Sequence, residues 1–255
     1  MNIKKLLDEE VKKRDNLKEL SLDKPDPLII AKKYNDEYIS LICALFAYGN
    51  AGQIVKLLSS FNFDLLNQDE NIITKKLQGY YYRFQSTDDV IAFFIALKRL
   101  KESNKSLENI FKVGYDKKQN VIEGIESIIS SIKNTYNYKS DGYKFLIGNI
   151  PKKDKYGNIK LIGNSAYKRY NMFLRWMVRS DNLDMGLWNG VSKKDLVLPL
   201  DTHTFKISQK LGLLDRKTAD LKSAILITEK LKEFDNNDPI KYDFAIYRLG
   251  QEKKL

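Results

Sequence analysis

The chain has 255 residues, 43% of them hydrophobic, which is enough to build a substantial buried core. Its single cysteine, Cys43, excludes an internal disulfide framework and a four-cysteine iron–sulfur cluster, and its single histidine, His203, argues against a conventional zinc site, so we expect no metal and no cofactor. The longest apolar segment, residues 39–48, is too short to cross a bilayer, and acids occupy the N-terminal stretch where a signal peptide would be apolar, so we expect no membrane contact and a cytoplasmic location.

Helical periodicity dominates the chain, and no alternation of strands and helices or fixed-period repeat appears, so the predicted fold class is all-α. The exception is residues 151–162, where a Tyr-Gly-Asn turn predicts a short β-hairpin or a basic loop. The pattern predicts helices near residues 3–20, 35–62, 87–102, 106–114, 120–136, 164–180, 202–211, 217–234 and 239–249.

The net charge of +11 is concentrated in one part of the chain. Between Lys139 and Arg179 there are ten basic residues but only two acids, Asp141 and Asp154. Such a concentration is typical of a phosphate-binding surface and favours nucleic acid as a partner. A solvated lysine-rich loop is the alternative.

A turn at Gly163-Asn-Ser165 precedes a strongly helical run, with Ser165 in a position to cap it. Basic residues recur along this helix at intervals of three and four, beside an apolar stripe. This spacing predicts a helix that lies against a polyanion. The stripe consists of Lys168, Met172, Arg175 and Arg179.

Lys168 falls in the first turn of that helix. The positive end of the helix dipole and the adjacent Arg169 both disfavour the protonated amine, and a neutral amine is a nucleophile. The alternative is an ordinary solvated lysine.

Asp201 stands where a helix over residues 202–211 is predicted to begin. Pro199 fixes the approaching backbone, Asp201 or Thr202 can cap the helix, and Gly212 suits its C-terminal end. The helix dipole stabilises the ionised Asp201 carboxylate. An ordinary N-cap without further function is the alternative.

Several motifs together carry a resemblance to a known family. The pattern of residues 199–213, Pro-x-Asp-Thr-His-x-Phe followed by Leu-Gly-Leu, resembles the catalytic aspartate loop of the helix-hairpin-helix DNA glycosylase superfamily, which includes endonuclease III and the 8-oxoguanine glycosylases. Lys168, after a glycine turn and before Asp201, resembles the Schiff-base lysine of that group. A closer resemblance, covering most of the chain, is to a bacterial family within the superfamily that has no established substrate; it is carried by residues 47–49, 168–179, 199–203 and 238–250.

The resemblance implies a single glycosylase-like unit over residues 1–255. It would have helical lobes at about residues 30–135 and 136–255, an active cleft between them, and residues 1–29 packed on the second lobe. One departure is that residues 163–168 lack the paired glycines whose amides grip a DNA phosphate in the usual hairpin.

The resemblance also assigns roles to residues. Lys168 and Asp201 would be catalytic. The DNA-binding candidates are Gly163, Ser165, Arg169, Arg175 and Arg179. A residue that fills the gap left by an extruded base is expected near the end of the helix over residues 34–54, which makes Tyr48 or Asn50 a candidate, with a helix cap as the alternative. Trp176 is a candidate for stacking on a flipped base, although aromatic residues at such spacing are usually core.

The resulting hypothesis is a base-excision repair glycosylase that binds duplex DNA containing a damaged base, as a monomer at the nucleoid. It would be bifunctional, with Lys168 forming a Schiff base, and 8-oxoguanine is the first purine lesion to test. One alternative is a non-catalytic DNA or structured-RNA binding protein, which the altered hairpin would permit. Another is a monofunctional glycosylase in which Asp201 activates water.

Overall fold

The computed structural model describes residues 2–21, 23–103 and 106–252. Within these ranges the chain forms thirteen α-helices and no β-strand, which confirms the predicted all-α class. None of the helices in the described ranges is long and apolar enough to span a membrane. The chain divides into two compact units: the first contains the residues up to Leu28 and those from Lys152 onward, and the second contains Ile29–Pro151.

The helices are, in chain order, α1 (Ile3–Arg14), α2 (Leu28–Tyr34), α3 (Glu37–Leu45), α4 (Ala51–Ser60), α5 (Glu70–Lys76), α6 (Thr87–Glu102), α7 (Leu107–Tyr115), α8 (Val121–Thr135), α9 (Asp141–Ile147), α10 (Lys168–Val178), α11 (Thr202–Lys210), α12 (Leu221–Lys232) and α13 (Asp243–Gln251).

The second unit is built around α6, most of whose residues are buried. A capping box starts this helix, because the Ser86 hydroxyl accepts the amide of Asp89 while the Asp89 carboxylate accepts the amide of Ser86. Helices α8 and α9 pack on α6, and α7 packs closely on α8. The core of this unit is therefore a layer of helices around one long buried helix.

The first unit joins the two ends of the chain. Helix α1 packs against α13, and α13 also packs against α11. Arg14 fixes α1 in place, because its buried guanidinium donates to both carboxylate oxygens of Glu252 at 2.8 and 2.9 Å and to Glu10 at 2.8 Å. Two parallel hydrogen bonds of this kind fix the orientation of the two side chains as well as holding them together.

Some predicted helix boundaries were wrong. The first helix ends at Arg14 rather than near residue 20, and the run over residues 35–62 is two helices, α3 and α4. Gly49 breaks that run with φ of +102°, a conformation that favours glycine, and Asn50 then caps α4 by accepting the Gln53 amide. The short helices α2, α5 and α9 were not predicted.

Residues 151–162, predicted as a short β-hairpin or a basic loop, form a loop. Lys153 and Ile159 form one isolated antiparallel bridge, and no strand extends from it. Asp154 stabilises the turn instead, because its Oδ1 accepts the amides of Tyr156 at 2.8 Å and Asn158 at 2.9 Å. These bonds hold the pKa of the Asp154 carboxyl below its usual value, the bond from Asn158 having the largest effect.

Gly114→Ala tests the close packing of α7 on α8. A Cβ at this position would lie 2.1 Å from the backbone oxygen of Glu123, so the two helices must separate to admit it. We expect a loss of about 1–3 kcal/mol in the free energy of unfolding, measured by urea denaturation. Val113→Ala, on the exposed side of the same helix, should change stability by less than about 0.5 kcal/mol. Equal stability of both variants would contradict this packing.

Candidate active site

Lys168 is the first residue of α10, and the chain reaches it through an unusual bend. Tyr167, just before it, is buried and has φ of +48°, a left-handed conformation that is uncommon for a residue with a side chain. The side chain of Asn171 holds the bend by donating to the backbone oxygen of Ala166 at 2.9 Å. Lys168 is half-buried as a result.

The predicted cap was wrong, because the residue at the N-cap position is Tyr167, which makes no side-chain cap bond. Ser165 is exposed and lies two residues earlier, beside an exposed Gly163 with φ of +83°. Arg169 is half-buried next to Lys168.

Asp201 caps α11 as predicted from its position. Its Oδ1 accepts the backbone amide of Thr204 at 2.8 Å, and its side chain is half-buried. The approaching segment is fixed by buried Leu198 and Leu200, and the amide of Leu198 donates to the Thr228 hydroxyl at 3.0 Å. The carboxylate is therefore held by rigid backbone on both sides.

Asp243, the first residue of α13, connects these two positions. It is 4% exposed and accepts a hydrogen bond of 2.5 Å from Nη1 of Arg175 on α10. Burial raises the pKa of the Asp243 carboxyl, Arg175 opposes that rise, and two further charges act on the same group: Asp201 raises the pKa and Lys168 lowers it. An amine on α10 and a carboxylate at the start of α11 thus both lie close enough to Asp243 to act on its ionisation.

Arg175 and Arg179 belong to a buried ion network and not to an exposed basic stripe. Arg175 donates through Nε to Asp184 at 3.1 Å, and Arg179 donates through Nη1 to the other oxygen of Asp184. Arg179 also contacts Asp238 at 2.8 Å and Asp181 at 2.9 Å. The two arginines are only 5% and 8% exposed.

This arrangement corrects the assignment of Arg175 and Arg179 to DNA binding, because each is already paired with carboxylates and neither presents an open face to a phosphate. The spacing predicts the stripe of basic residues but not their pairing: Asp181 and Asp184 follow shortly after α10, whereas Asp238 and Asp243 come from a distant part of the chain. Met172 is also buried, so the predicted stripe faces the protein interior.

The network carries opposing electrostatic effects. Burial raises the pKa of Asp184 to about 6, although the charges of Arg175 and Arg179 oppose the rise. Both arginines have raised pKa values, since the nearby carboxylates outweigh the effect of burial. A buried cluster of this kind contributes little net stability when intact, but removal of one partner leaves an uncompensated charge.

One group of exposed positive charges in this unit lies on the loop before α10. Asn164, which is buried, organises this loop: its Oδ1 accepts the Lys152 amide at 2.8 Å, and its Nδ2 donates to the backbone oxygens of Lys152 and Lys160 at 3.0 and 2.7 Å. Helix α12 anchors the loop through a bond from the Lys222 amide to Leu161. The lysines exposed on it are Lys152, Lys153, Lys155 and Lys160.

The remaining predicted site residues have other surroundings. Trp176 is completely buried, so the proposal that it stacks on a flipped base was wrong. Asn50 is exposed and caps α4. Tyr48 is half-buried within a group of aromatic rings of the second unit. Within the described ranges no group of three His, Cys, Asp or Glu side chains could hold a metal ion.

Comparison with known proteins gives a family for this chain. The model of a family described as a protein of unknown function, DUF2400, matches residues 26–252. The chain belongs to the DUF2400 family. No curated protein and no solved structure matches it. In this DUF2400 chain the matched region includes Lys168, Asp201, Asp243 and both network arginines, whereas α1 precedes it.

Asp184→Asn tests the buried network through its dependence on pH. An aspartate has a pKa of about 3.9 in an unfolded chain and Asp184 has one of about 6 when folded, so the folded state binds this proton more tightly. The stabilisation that comes from this tighter proton binding by Asp184 is complete below about pH 4 and is lost as the pH rises through 6. The free energy of unfolding therefore falls over that interval.

The asparagine side chain that replaces Asp184 in this variant does not titrate, so we expect the fall between about pH 4 and 6 to be smaller in the variant by about 2–3 kcal/mol. Urea unfolding at a series of pH values measures this difference. Parallel pH profiles for the two proteins would contradict the raised pKa of Asp184.

Arg179→Ala tests whether this arginine is structural. The substitution leaves Asp181 and Asp238 without their shared cation, and we expect a loss of about 3–5 kcal/mol in the free energy of unfolding. Arg99→Ala, which removes a more exposed bidentate pair with Glu70, should cost about 1 kcal/mol or less. If Arg179→Ala is as stable as the unmodified chain and loses affinity for DNA, the arginine contacts phosphate after all.

Proposed function

We propose that this DUF2400 protein is a DNA glycosylase of the helix-hairpin-helix superfamily, with an associated lyase activity, and that it removes a damaged purine from duplex DNA. The observation that carries this proposal is geometric: Arg175 of α10 bonds to buried Asp243 at the start of α13, and α13 packs on α11. The helix that begins at Lys168 is therefore linked to the helix that Asp201 caps. An amine and a carboxylate at one site are the two groups that this chemistry requires.

In the proposed reaction the Lys168 amine bonds to the anomeric carbon of the sugar while the glycosidic bond breaks. The base leaves with the bonding electrons and takes up a proton, and the amine nitrogen loses one. Opening of the sugar ring then gives a Schiff base between lysine and sugar. Loss of a proton from the neighbouring sugar carbon expels the 3′ phosphate and nicks the strand.

Asp201 has an electrostatic role in this scheme. Positive charge develops on the sugar as the base departs, and a carboxylate held by the α11 cap stabilises that charge without having to reorganise. Asp243 is a positioning residue, because its hydrogen bond goes to Arg175 within the protein. Asp243 lies at the start of α13, and it links α10, which carries Lys168, to α11, which Asp201 caps.

DNA contact is assigned to the loop over residues 152–160 in place of the buried arginines. Four exposed lysines lie on this loop, and its backbone is fixed by Asn164 and Asp154. Seven residues separate it from Lys168, the first residue of α10. A cationic loop beside the site would hold the phosphate backbone near the reacting nucleotide.

The proposal is tested by base release and strand nicking on duplexes that carry 8-oxoguanine, uracil, an alkylated purine or an abasic site. We expect release of a purine lesion. Asp201→Asn should slow it by about 10²–10⁴-fold, because the carboxylate charge is lost while asparagine still caps the helix. Lys168→Ala should abolish nicking, and Lys217→Ala, at an exposed position elsewhere in the unit, should have no effect.

Other outcomes are equally informative. Base release without a nick, insensitive to Lys168→Ala, would indicate a monofunctional enzyme in which Asp201 activates water. Duplex binding without release of any base would contradict glycosylase activity and would leave a nucleic-acid binding protein.

A further inference from the structure

The second unit presents a phenylalanine at the tip of a tight turn. The backbones of Tyr82 and Gln85 pair in both directions, and both residues are buried, so the two residues between them, Arg83 and Phe84, project outward. Arg83 has φ of +53°, and the Tyr82 hydroxyl donates to the backbone oxygen of Tyr48 at 2.8 Å. The turn is therefore anchored on both sides while its tip is exposed.

Phe84 is one ring of an exposed aromatic cluster, which we name the aromatic platform: Tyr48, Phe84 and Phe145. The Phe84 and Phe145 rings meet edge to face with centroids 5.0 Å apart, and Tyr48 contacts both. Phe84 is 58% exposed and Phe145 is 42% exposed. The guanidinium of Arg83 lies 5.5 Å from the Phe84 ring, so a cation accompanies the exposed aromatic faces.

A lysine-lined pocket of about 520 Å³ lies in the same unit. Lys133, Lys139 and Lys144 line it, together with Tyr138, Tyr143 and one acid, Asp141. In the described ranges none of the three lysines forms an ion pair with a carboxylate. Burial lowers the pKa of Lys133, and the charge of Lys144 lowers it further, so these two cations lie near each other, and the acid of the pocket, Asp141, forms no ion pair with either.

Helix α9 carries both features. Lys144 on this helix lines the pocket, and the next residue, Phe145, belongs to the platform. The Gln85 side chain donates to the backbone oxygen of Gly142 at 2.8 Å, which ties the turn to the first residues of the same helix. The exposed rings and Lys144 are therefore fixed relative to each other.

We propose that the aromatic platform and the lysine-lined pocket together bind single-stranded DNA, with unpaired bases on the rings and phosphates at the lysines. Every nucleotide of such a strand offers a flat base that can stack on the aromatic platform and a phosphate that can contact the lysines of the pocket. A duplex hides its base faces in the stack and would engage only the lysines. The proposal goes beyond the glycosylase reaction and does not depend on Lys168 or Asp201.

Fluorescence anisotropy of the full chain with a labelled oligothymidylate of about 12 nucleotides tests this inference, since a single binding fold covers up to about 16 nucleotides. The double variant Phe84→Leu/Phe145→Leu keeps apolar bulk and loses the ring faces, so we expect its affinity to fall about tenfold or more. Phe84→Tyr/Phe145→Tyr retains the faces and should bind as the unmodified chain does. Tyr34→Leu, which alters another exposed aromatic residue of this unit, should also leave the affinity unchanged.

Removal of the pocket lysines should change the salt dependence of binding. Lys139→Ala/Lys144→Ala should make the slope of log affinity against log salt concentration shallower by about 1.4, because single-stranded DNA contributes about 0.7 for each neutralised phosphate. The matched variant Lys75→Ala/Lys76→Ala, with two exposed lysines removed from α5, should leave the slope unchanged.

Absence of oligothymidylate binding would overturn the inference, as would binding that the leucine variants do not weaken. Equal effects of the two lysine pairs would also overturn it, because the contact would then be general attraction to a basic protein. Asp201→Asn separates this inference from the proposed enzyme activity: it should slow base release as stated above and bind the oligonucleotide normally.

Discussion

The buried hydrogen bond between Arg175 and Asp243 is the contact on which the candidate active site depends. It joins the last turn of α10 to the first residue of α13, and α13 packs on α11, whose cap is Asp201. The position of Lys168 at the start of α10 is thereby related to that of Asp201, although 33 residues separate the two in sequence. Arg179 and Asp184 extend the contact into a network that also fixes the end of α10.

Burial of so many charges is costly in general, and hydrophobic replacements of similar volume are often as stable. We infer that the network serves to orient α10 relative to α13, because charge-assisted hydrogen bonds fix direction as well as distance. Arg175, which bonds to Asp243, has a structural role in this network. Lys168 and Asp201, whose charges also act on Asp243, are half-buried and so keep the access to solvent that a substrate would need. The buried carboxyl group thus belongs to a structural ion network and is influenced by the two residues that we propose to be reactive.

The sequence was sufficient for the features that depend on local chemistry and insufficient for those that depend on distant partners. The all-α class, the bounds of α6 and the cap at Asp201 follow from periodicity and capping residues close by in the chain. The pairing of Arg175 with Asp243 could not be predicted, because 68 residues separate the two and no local pattern reports that contact. Short helices such as α9 were missed, since seven residues give too little periodicity, whereas the break at Gly49 had a local signal, the Gly49-Asn50 pair that follows the apolar run of residues 39–48.

The most direct test of the central claim is to identify the residue that bonds to DNA. The protein is incubated with an abasic-site duplex and borohydride, which reduces a Schiff base to a stable amine, and the adduct is digested and mapped by mass spectrometry. We predict that the adduct lies on Lys168 and that it also forms in the presence of excess undamaged single-stranded DNA, because the surface proposed for single strands does not include the reacting lysine. An adduct on a loop lysine such as Lys155, or no adduct at all, would contradict the assignment of Lys168 as the nucleophile.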